Sequence, residues 1–131
     1  MKFLLIMHMN PAIWDALTEA ERQEVMSGHG AFIETIKRSG EMISTAALAD
    51  PAESAVVGTR GGVPAVTDGP YLEAKEFLGG YYLVECESRD RALELAGLIP
   101  DSRVEGLGIE VRQVIFEETY GGHGGPGEAG S

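Results

Sequence analysis

The sequence predicts an α+β fold in which two βαβ units share one antiparallel sheet and a β-hairpin lies between them. Three observations predict this fold class. Apolar runs or alternating patterns, which are typical of strands, recur near both ends of the chain. Segments with helix-capping residues follow strand-like segments. Finally, Gly61-Gly62 joins two short runs that are rich in β-branched residues, as the turn of a hairpin does.

The first strand and the first helix have clear sequence signals. Residues 3–9 form a mostly continuous apolar run, which predicts a strand that is buried on both faces. Thr18 and Glu21 have the spacing of a capping box, in which each side chain accepts from the backbone amide of the other. A helix is therefore expected over residues 18–39, and Gly40 suits the position just after its end.

The middle of the chain is expected to hold a strand and a hairpin. Residues 41–48 predict the second strand. Residues 54–60 and 63–67, joined across Gly61-Gly62, predict the hairpin. After a tight turn, residues 72–77 could form one or two helical turns.

The second βαβ unit completes the domain. Residues 80–87 are rich in tyrosine and apolar residues and predict a strand. Ser88 or Asp90 can cap a short helix that ends before Pro100, and the alternation over residues 109–116 predicts the last strand. The full order is the ferredoxin-like arrangement βαββαβ with an inserted β-hairpin.

Composition limits the classes of function. The chain has 131 residues, enough for one domain over residues 1–118, followed by a disordered glycine-rich tail over 119–131. The formal net charge of −11 argues against nucleic-acid binding and against anionic membranes, since both require basic patches. One cysteine cannot form an internal disulfide, and no small-residue cleavage site follows the apolar N-terminal run. A cytoplasmic protein is expected.

His29 is the first candidate for chemistry. At about 100° per residue it falls on the apolar stripe of its helix, between Ile36 and Ile33 and toward the sheet. Gly28 and Gly30 flank it, which suggests close packing or the close approach of a ligand. Two interpretations remain open. His29 is either a core histidine bonded to a neighbouring carboxylate or backbone group, or an acid–base group in a pocket between helix and sheet.

Four further residues are candidates for ligand binding. Tyr81 and Tyr82 are adjacent in a strand and must face opposite ways, so one packs under the helices and the other meets a dimer face or a ligand. His8 ends the first strand and could line a pocket, and Lys75 lies in a charged turn. No phosphate-binding loop and no metal-ligand spacing is present, so neither a cofactor nor a metal is expected.

Residues 67–85 carry a family resemblance. Their sequence, Thr-Asp-Gly-Pro-Tyr-Leu-Glu-Ala-Lys-Glu-Phe-Leu-Gly-Gly-Tyr-Tyr-Leu-Val-Glu, resembles the signature of the DGPF proteins, a branch of the YCII-related family. Tyr71 stands where the family name has Phe, and the likeness extends over residues 1 to about 118. The resemblance implies a homodimer in which two sheets pack face to face, similar to the dimeric α/β-barrel enzymes.

The same resemblance implies roles for particular residues. His29, in a His-Gly-x-Phe context, is similar to one half of a proposed His–Asp pair, and we choose Asp68 as the other half. Asp68 also has a purely structural explanation, because aspartate, glycine and proline favour tight turns. Lys75 becomes a possible partner for a substrate carboxylate.

Two functions follow as hypotheses. The first is a cofactor-free lyase or isomerase that transfers a proton on a small cyclic or aromatic acid. The second is a non-catalytic ligand-binding or accessory protein, since members of the family that this chain resembles are often linked to sigma-factor systems. A solvent-reachable pocket containing His29 would favour the enzyme, and a packed His29 without a cavity would favour the second function.

Overall fold

A computed structural model describes residues 1–69 and 76–120 of the chain. The helical turn expected over residues 72–77 falls mostly outside these ranges, and Phe77 itself belongs to a strand. Lys75 and the tail from residue 121 onward also lie outside the described residues.

The described part of the chain alternates strands and helices in the predicted order. In chain order the elements are β1 (Lys2–Met9), α1 (Pro11–Ala16), α2 (Glu19–Ser39), β2 (Met42–Ala47), a 3₁₀ turn (Pro51–Glu53), β3 (Ala55–Arg60), β4 (Val63–Asp68), β5 (Phe77–Glu85), α3 (Arg89–Leu98), a second 3₁₀ turn (Pro100–Arg103) and β6 (Gly108–Gln113). Thus β1, α2 and β2 form one βαβ unit, and β5, α3 and β6 form the other.

The six strands form two separate sheets. The main sheet has the order β2-β5-β1-β6, and all of its neighbouring strands are antiparallel. Among the described residues, β3 and β4 pair with each other and with no other strand, as a hairpin between the two βαβ units. The predicted α+β class is confirmed, and the sheet order is consistent with a ferredoxin-like fold.

Local signals account for the ends of α2 and for the hairpin turn. The Thr18 amide donates to Glu21 Oε1 at 2.7 Å, and the Glu21 amide donates to Thr18 Oγ1 at 3.1 Å, so both halves of the capping box form. Gly40 ends the helix with φ of 81°, and Gly61 and Gly62 have φ of 55° and 81°. Such positive values are easily adopted only by glycine.

Four features differ from the sequence expectation. Helix α1 was not predicted, although Asn10 caps it and Pro11 occupies its first turn, which are both known start signals. Both 3₁₀ turns were also missed, and strand β5 begins at Phe77, whereas the sequence predicted a start at residue 80. Strand β6 ends at Gln113, so the expected strand over 109–116 is too long by three residues at its end.

The helices cover only one face of the main sheet. Its core contains alternate residues of β1 and β5 together with the inner residues of α2 and α3. The largest of these side chains are Phe3, Leu5, Phe32, Ile36, Tyr82, Val84 and Leu95. Since successive strand residues point to opposite faces, the remaining strand residues face away from the helices. We call this second side the open face.

The open face combines an apolar centre with polar edges. Its members on the three neighbouring strands are Leu4, Ile6 and His8 on β1, Tyr81 and Leu83 on β5, and Glu110 and Arg112 on β6. Ile6 in the middle is only 4% exposed, and Leu4, Tyr81 and Leu83 are half-buried. No helix among the described residues is long and apolar enough to cross a bilayer.

The two glycines that flank His29 should respond oppositely to alanine. A Cβ at Gly28 would lie 2.7 Å from Cγ of Pro100, whose ring is buried and rigid. Gly28→Ala should therefore lower the free energy of unfolding by about 1–3 kcal/mol. A Cβ at Gly30 would meet no heavy atom of residues 1–69 and 76–120 within 4 Å. Gly30→Ala should raise stability by about 0.5–1 kcal/mol, because alanine favours a helix interior. Urea denaturation of both variants measures the difference.

The two variants also bear on why glycine stands at these positions, for which close packing and the close approach of a ligand were the two explanations. Packing against Pro100 explains Gly28, whereas Gly30 is exposed and its described surroundings give no packing reason for glycine. If Gly30→Ala failed to stabilise the isolated protein, the prediction that its surroundings are empty would be wrong.

Candidate functional site

His29 lies at the centre of a buried polar network that joins three elements. Helix α2 carries it, and its Nδ1 is 2.7 Å from the hydroxyl oxygen of Tyr82 on β5. Its Nε2 is 2.7 Å from Oδ1 of Asp101, in the 3₁₀ turn that follows α3. The rings of His29 and Tyr82 are stacked with centroids 5.9 Å apart, and Phe32 packs edge-on against Tyr82. The imidazole is thus held on both sides.

Burial determines how the protons are distributed in this network. Asp101 is 3% exposed and Tyr82 is 2% exposed. Burial, together with the negative charge of Asp101, raises the pKa of Tyr82 to about 12. The Tyr82 phenol therefore keeps its proton near neutral pH, and it donates to His29 Nδ1 when that nitrogen carries no proton. With neutral His29, Nε2–H then donates to the Asp101 carboxylate.

This network has little capacity to act on a substrate. Both ring nitrogens of His29 are already engaged, and its side chain is 20% exposed. A substrate would have to displace Tyr82 or Asp101 before the imidazole could accept a proton, and it would leave a buried group without its partner. The geometry is that of a core histidine bonded to a neighbouring carboxylate.

Asp68 does not take part in this network. It is exposed at the end of β4, where it is paired with Ala55 of β3. The expected His29–Asp68 contact is absent because Asp101 and Tyr82 occupy both ring nitrogens. Sequence reasoning missed Asp101, which is 72 residues from His29 and follows Pro100 like an ordinary helix-terminating residue.

A second histidine lies at the edge of the open face, with a different geometry. His8 Nε2 is 2.7 Å from Oε1 of Glu110 on the neighbouring strand β6. Arg112 holds the other oxygen of the same carboxylate through Nε at 2.8 Å, and also through Nη2. The hydrogen bond from His8 and then the one from Arg112 lower the pKa of Glu110, so this carboxylate stays ionised near neutral pH.

His8 differs from His29 because its second ring nitrogen is accessible. Within residues 1–69 and 76–120, Nδ1 of His8 makes no hydrogen bond, and the side chain is 38% exposed. It opens into a cleft of about 440 Å³. The cleft is lined by His8, Glu76, Gly106, Leu107, Gly108, Ile109 and Glu110. A histidine with one nitrogen on a carboxylate and the other free has the arrangement of a general base and its orienting group.

The two tyrosines of β5 lie on opposite faces of the main sheet. Tyr82 is the tyrosine that packs under the helices, and Tyr81 is half-buried on the open face opposite Ile6. In the part of the chain that the structure describes, no three His, Cys, Asp or Glu side chains are grouped as metal ligands. Sequence alone indicated His8 but not Glu110 or Arg112, because their contacts depend on strand register.

Comparison with known proteins identifies the family. The family model of the YCII-related domain matches residues 1–117. An uncharacterized protein of Rhizobium meliloti (strain 1021) is 28% identical over 116 residues, which cover 88% of this chain and 94% of that protein. The family match spans most of the chain, so the chain belongs to the YCII-related family. The resemblance found in the sequence is confirmed.

The His29 network predicts a large difference between two substitutions. His29→Asn should lower the free energy of unfolding by about 1–3 kcal/mol, because it leaves the buried Asp101 carboxylate without its donor. Asp68→Asn, on the exposed hairpin, should leave stability nearly unchanged. Thermal and urea denaturation of both variants provide the measurement. Equal losses of stability in the two variants would contradict the assignment of Asp101 as the partner of His29.

Proposed function

We propose that this YCII-related protein is a cofactor-free acid–base enzyme, a lyase or isomerase that moves a proton on a small acid, with His8 as the base. The observation that supports this proposal is the 2.7 Å contact between His8 Nε2 and Glu110, which leaves Nδ1 without a hydrogen bond to the described residues, on a side chain that lines an open cleft. The reaction class is the one expected from the sequence, but its centre moves from His29 to His8 because the nitrogens of His29 are engaged.

Each residue of the cluster has a chemical role in this proposal. Nδ1 of His8 accepts a proton from a carbon of the substrate, and the imidazolium that forms is stabilised by the Glu110 carboxylate. In an isomerase, the same nitrogen returns the proton to another carbon of the conjugated system. In a lyase, the electron pair of the broken C–H bond forms a double bond as the leaving group departs. Glu110 acts as a positioning residue, because its carboxylate orients the ring and takes no part in the proton transfer itself.

Arg112 does not itself line the cleft, but it is bonded to the lining residue Glu110 and offers a further contact for an acidic substrate. Its Nε and Nη2 bind Glu110, whereas Nη1 makes no hydrogen bond in the described part of the chain. The side chain is 68% exposed, so Nη1 can reach a carboxylate in solution. Such a contact places the negative charge that develops on deprotonation near a guanidinium. A cleft of about 440 Å³ suits a compact acid, including a cyclic or aromatic one.

We further propose that the open face is covered by a second copy of the chain, as in dimeric α/β-barrel proteins. Leu4, Ile6, Tyr81 and Leu83 give this face an apolar centre that the chain's own helices do not cover. Standard specific interfaces bury about 1,200–2,000 Å² in total, which a four-stranded sheet can supply. Since His8 lies at the edge of this face, the partner sheet would also help to exclude water from the cleft.

A second function is favoured by one observation. The closed network around His29 is the outcome expected for a non-catalytic ligand-binding or accessory protein, including one that serves a sigma-factor system. On this alternative, the His8 cleft binds a small acid without changing it. Binding and turnover are therefore measured separately.

Replacing His8 should abolish proton transfer but not folding. In deuterium oxide, the wild-type protein should exchange carbon-bound protons of an acid within a panel of cyclic and aromatic carboxylic acids, measured by proton NMR. His8→Gln should reduce this exchange by at least about 100-fold, the usual range for loss of a general base. Its melting temperature should stay close to that of the wild type, because the side chain is partly exposed.

Two further variants show whether the effect of His8→Gln on proton exchange is specific. Glu110→Gln should lower the exchange rate less than His8→Gln does and should alter its pH profile, because the ring loses its anionic partner. Lys37→Gln, at the far end of α2, should leave exchange unchanged. Equal exchange in wild type and His8→Gln would contradict the assignment of His8. Binding of an acid without any exchange would favour the accessory function.

A charge on the open face should dissociate the proposed dimer. Leu83→Glu buries a carboxylate against the partner sheet, so it should convert a dimer at micromolar concentration to a monomer in sedimentation velocity. Leu93→Glu makes the same change at an exposed position of α3 and should leave the dimer intact. A monomeric wild-type protein, or dissociation by Leu93→Glu alone, would contradict the proposed interface.

A further inference from the structure

A larger cavity lies on the helix side of the sheet, outside the cluster of the proposed function. It has a volume of about 710 Å³ and lies between the N-terminal half of α2 and residues 100–105, which follow α3. We call this cavity the α2 groove. Its walls come from two segments that are already fixed to each other, because Gly28 of α2 packs directly against Pro100. The groove is therefore a feature of the folded chain and needs no rearrangement to form.

The floor of the α2 groove is apolar. Val25 and Pro100 are buried, and Leu17 and Val104 are half-buried at either side of them. The apolar part of a ligand can displace water from the surface that these side chains form. Pockets of about 300–1,000 Å³ with mainly apolar lining and a few polar groups are typical of small-molecule sites. A single drug-sized molecule matches this volume.

The rim of the α2 groove is negatively charged. It carries the carboxylates of Glu21, Glu24 and Glu105 and one guanidinium, that of Arg103. Arg103 donates to the carbonyl of Leu98 at 3.0 Å, which directs it to the C-terminal end of α3. The amide and hydroxyl of Thr18 lower the pKa of Glu21, which therefore remains ionised at neutral pH.

Two of these carboxylates are available to a ligand. Glu24 and Glu105 make no hydrogen bond or ion pair through their side chains in the described part of the chain. Both are exposed, so their charge is not neutralised by a neighbouring cation. Three carboxylates against one committed guanidinium leave an excess of negative charge around an apolar floor.

We propose that the α2 groove binds a small organic cation, with an apolar body on Val25 and Pro100 and an ammonium group beside Glu24 and Glu105. The apolar floor favours a ligand with a hydrocarbon or aromatic body. The carboxylates of the rim favour a ligand with a positive charge. A small acid, the substrate class proposed for the His8 cleft, is repelled by this rim. The α2 groove is thus a second site, on the other side of the sheet from the His8 cleft, and it does not depend on the proposed reaction.

Three probes that share one body test the charge preference. They are 4-phenylbutylammonium, 4-phenyl-1-butanol and 4-phenylbutyrate, titrated into the full chain and followed by isothermal calorimetry and protein NMR. The cation should bind more tightly than the alcohol by about three- to fivefold for each exposed carboxylate that it meets, and the anion should bind most weakly. The NMR shifts should map to α2 and residues 100–105.

Two variants locate the site. Ala31 lines the α2 groove and is exposed, so Ala31→Trp can fill the cavity without entering the core. It should abolish binding of the cation and of the alcohol. The double variant Glu24→Gln and Glu105→Gln should keep binding of the alcohol and lose most of the preference for the cation. Glu34→Gln, on α2 outside the groove, is the matched control and should retain the wild-type preference.

Each other outcome would overturn the proposal. Tightest binding of the anion would make Arg103 the determining group. Absence of saturable binding would show that the protein has no site for this cation. Unchanged binding in a folded Ala31→Trp variant would show that the cation binds outside the α2 groove. A shift of the sedimentation coefficient in Ala31→Trp without loss of a bound cation would identify the groove as a contact between copies. Failure of proton exchange at His8 would leave this result unaffected, because the two readouts use different probes and residues.

Discussion

The buried carboxylate of Asp101 is the constraint on which the helix side of this fold depends. A charged group in an apolar interior is costly unless a donor meets it, and His29 supplies that donor. The position of His29 is in turn held by Tyr82, which lies in the centre of the main sheet. One carboxylate therefore links the end of the second βαβ unit, the long helix of the first unit and the sheet between them.

This linkage also explains why the two sides of the sheet differ chemically. On the helix side both ring nitrogens of His29 are paired, so the network fixes the packing and leaves neither nitrogen free for reaction. On the open face the strands hold His8, Glu110 and Arg112 in a row whose end remains accessible. The same residue types, histidine and carboxylate, consequently form a closed pair of contacts on one face and, in the proposed reaction, act on a substrate at the other. The difference arises from access to the second ring nitrogen.

The sequence predicted those parts of the fold that depend on neighbours along the chain. The capping box of Thr18 and Glu21 and the two turn glycines of the hairpin are complete within a few residues, so their patterns are visible in the sequence. The partners of His29 could not be predicted in this way. Asp101 reaches it only after α3 and its following turn pack against α2, and sequence spacing does not describe that packing.

The contacts of His8, like those of His29, depend on packing between distant segments and not on neighbours along the chain. His8 and Glu110 are 102 residues apart and meet because β1 and β6 pair in antiparallel register. The strand pairing that brings them together also exposes Leu4, Leu83 and Tyr81 beside them. Leu4, Leu83 and Tyr81 remain partly in contact with water in a single chain, so in the proposed dimer association would be favoured by residues close to His8. In this fold, the surface that would hold two copies together and the cleft that would hold a substrate thus arise from the same strands.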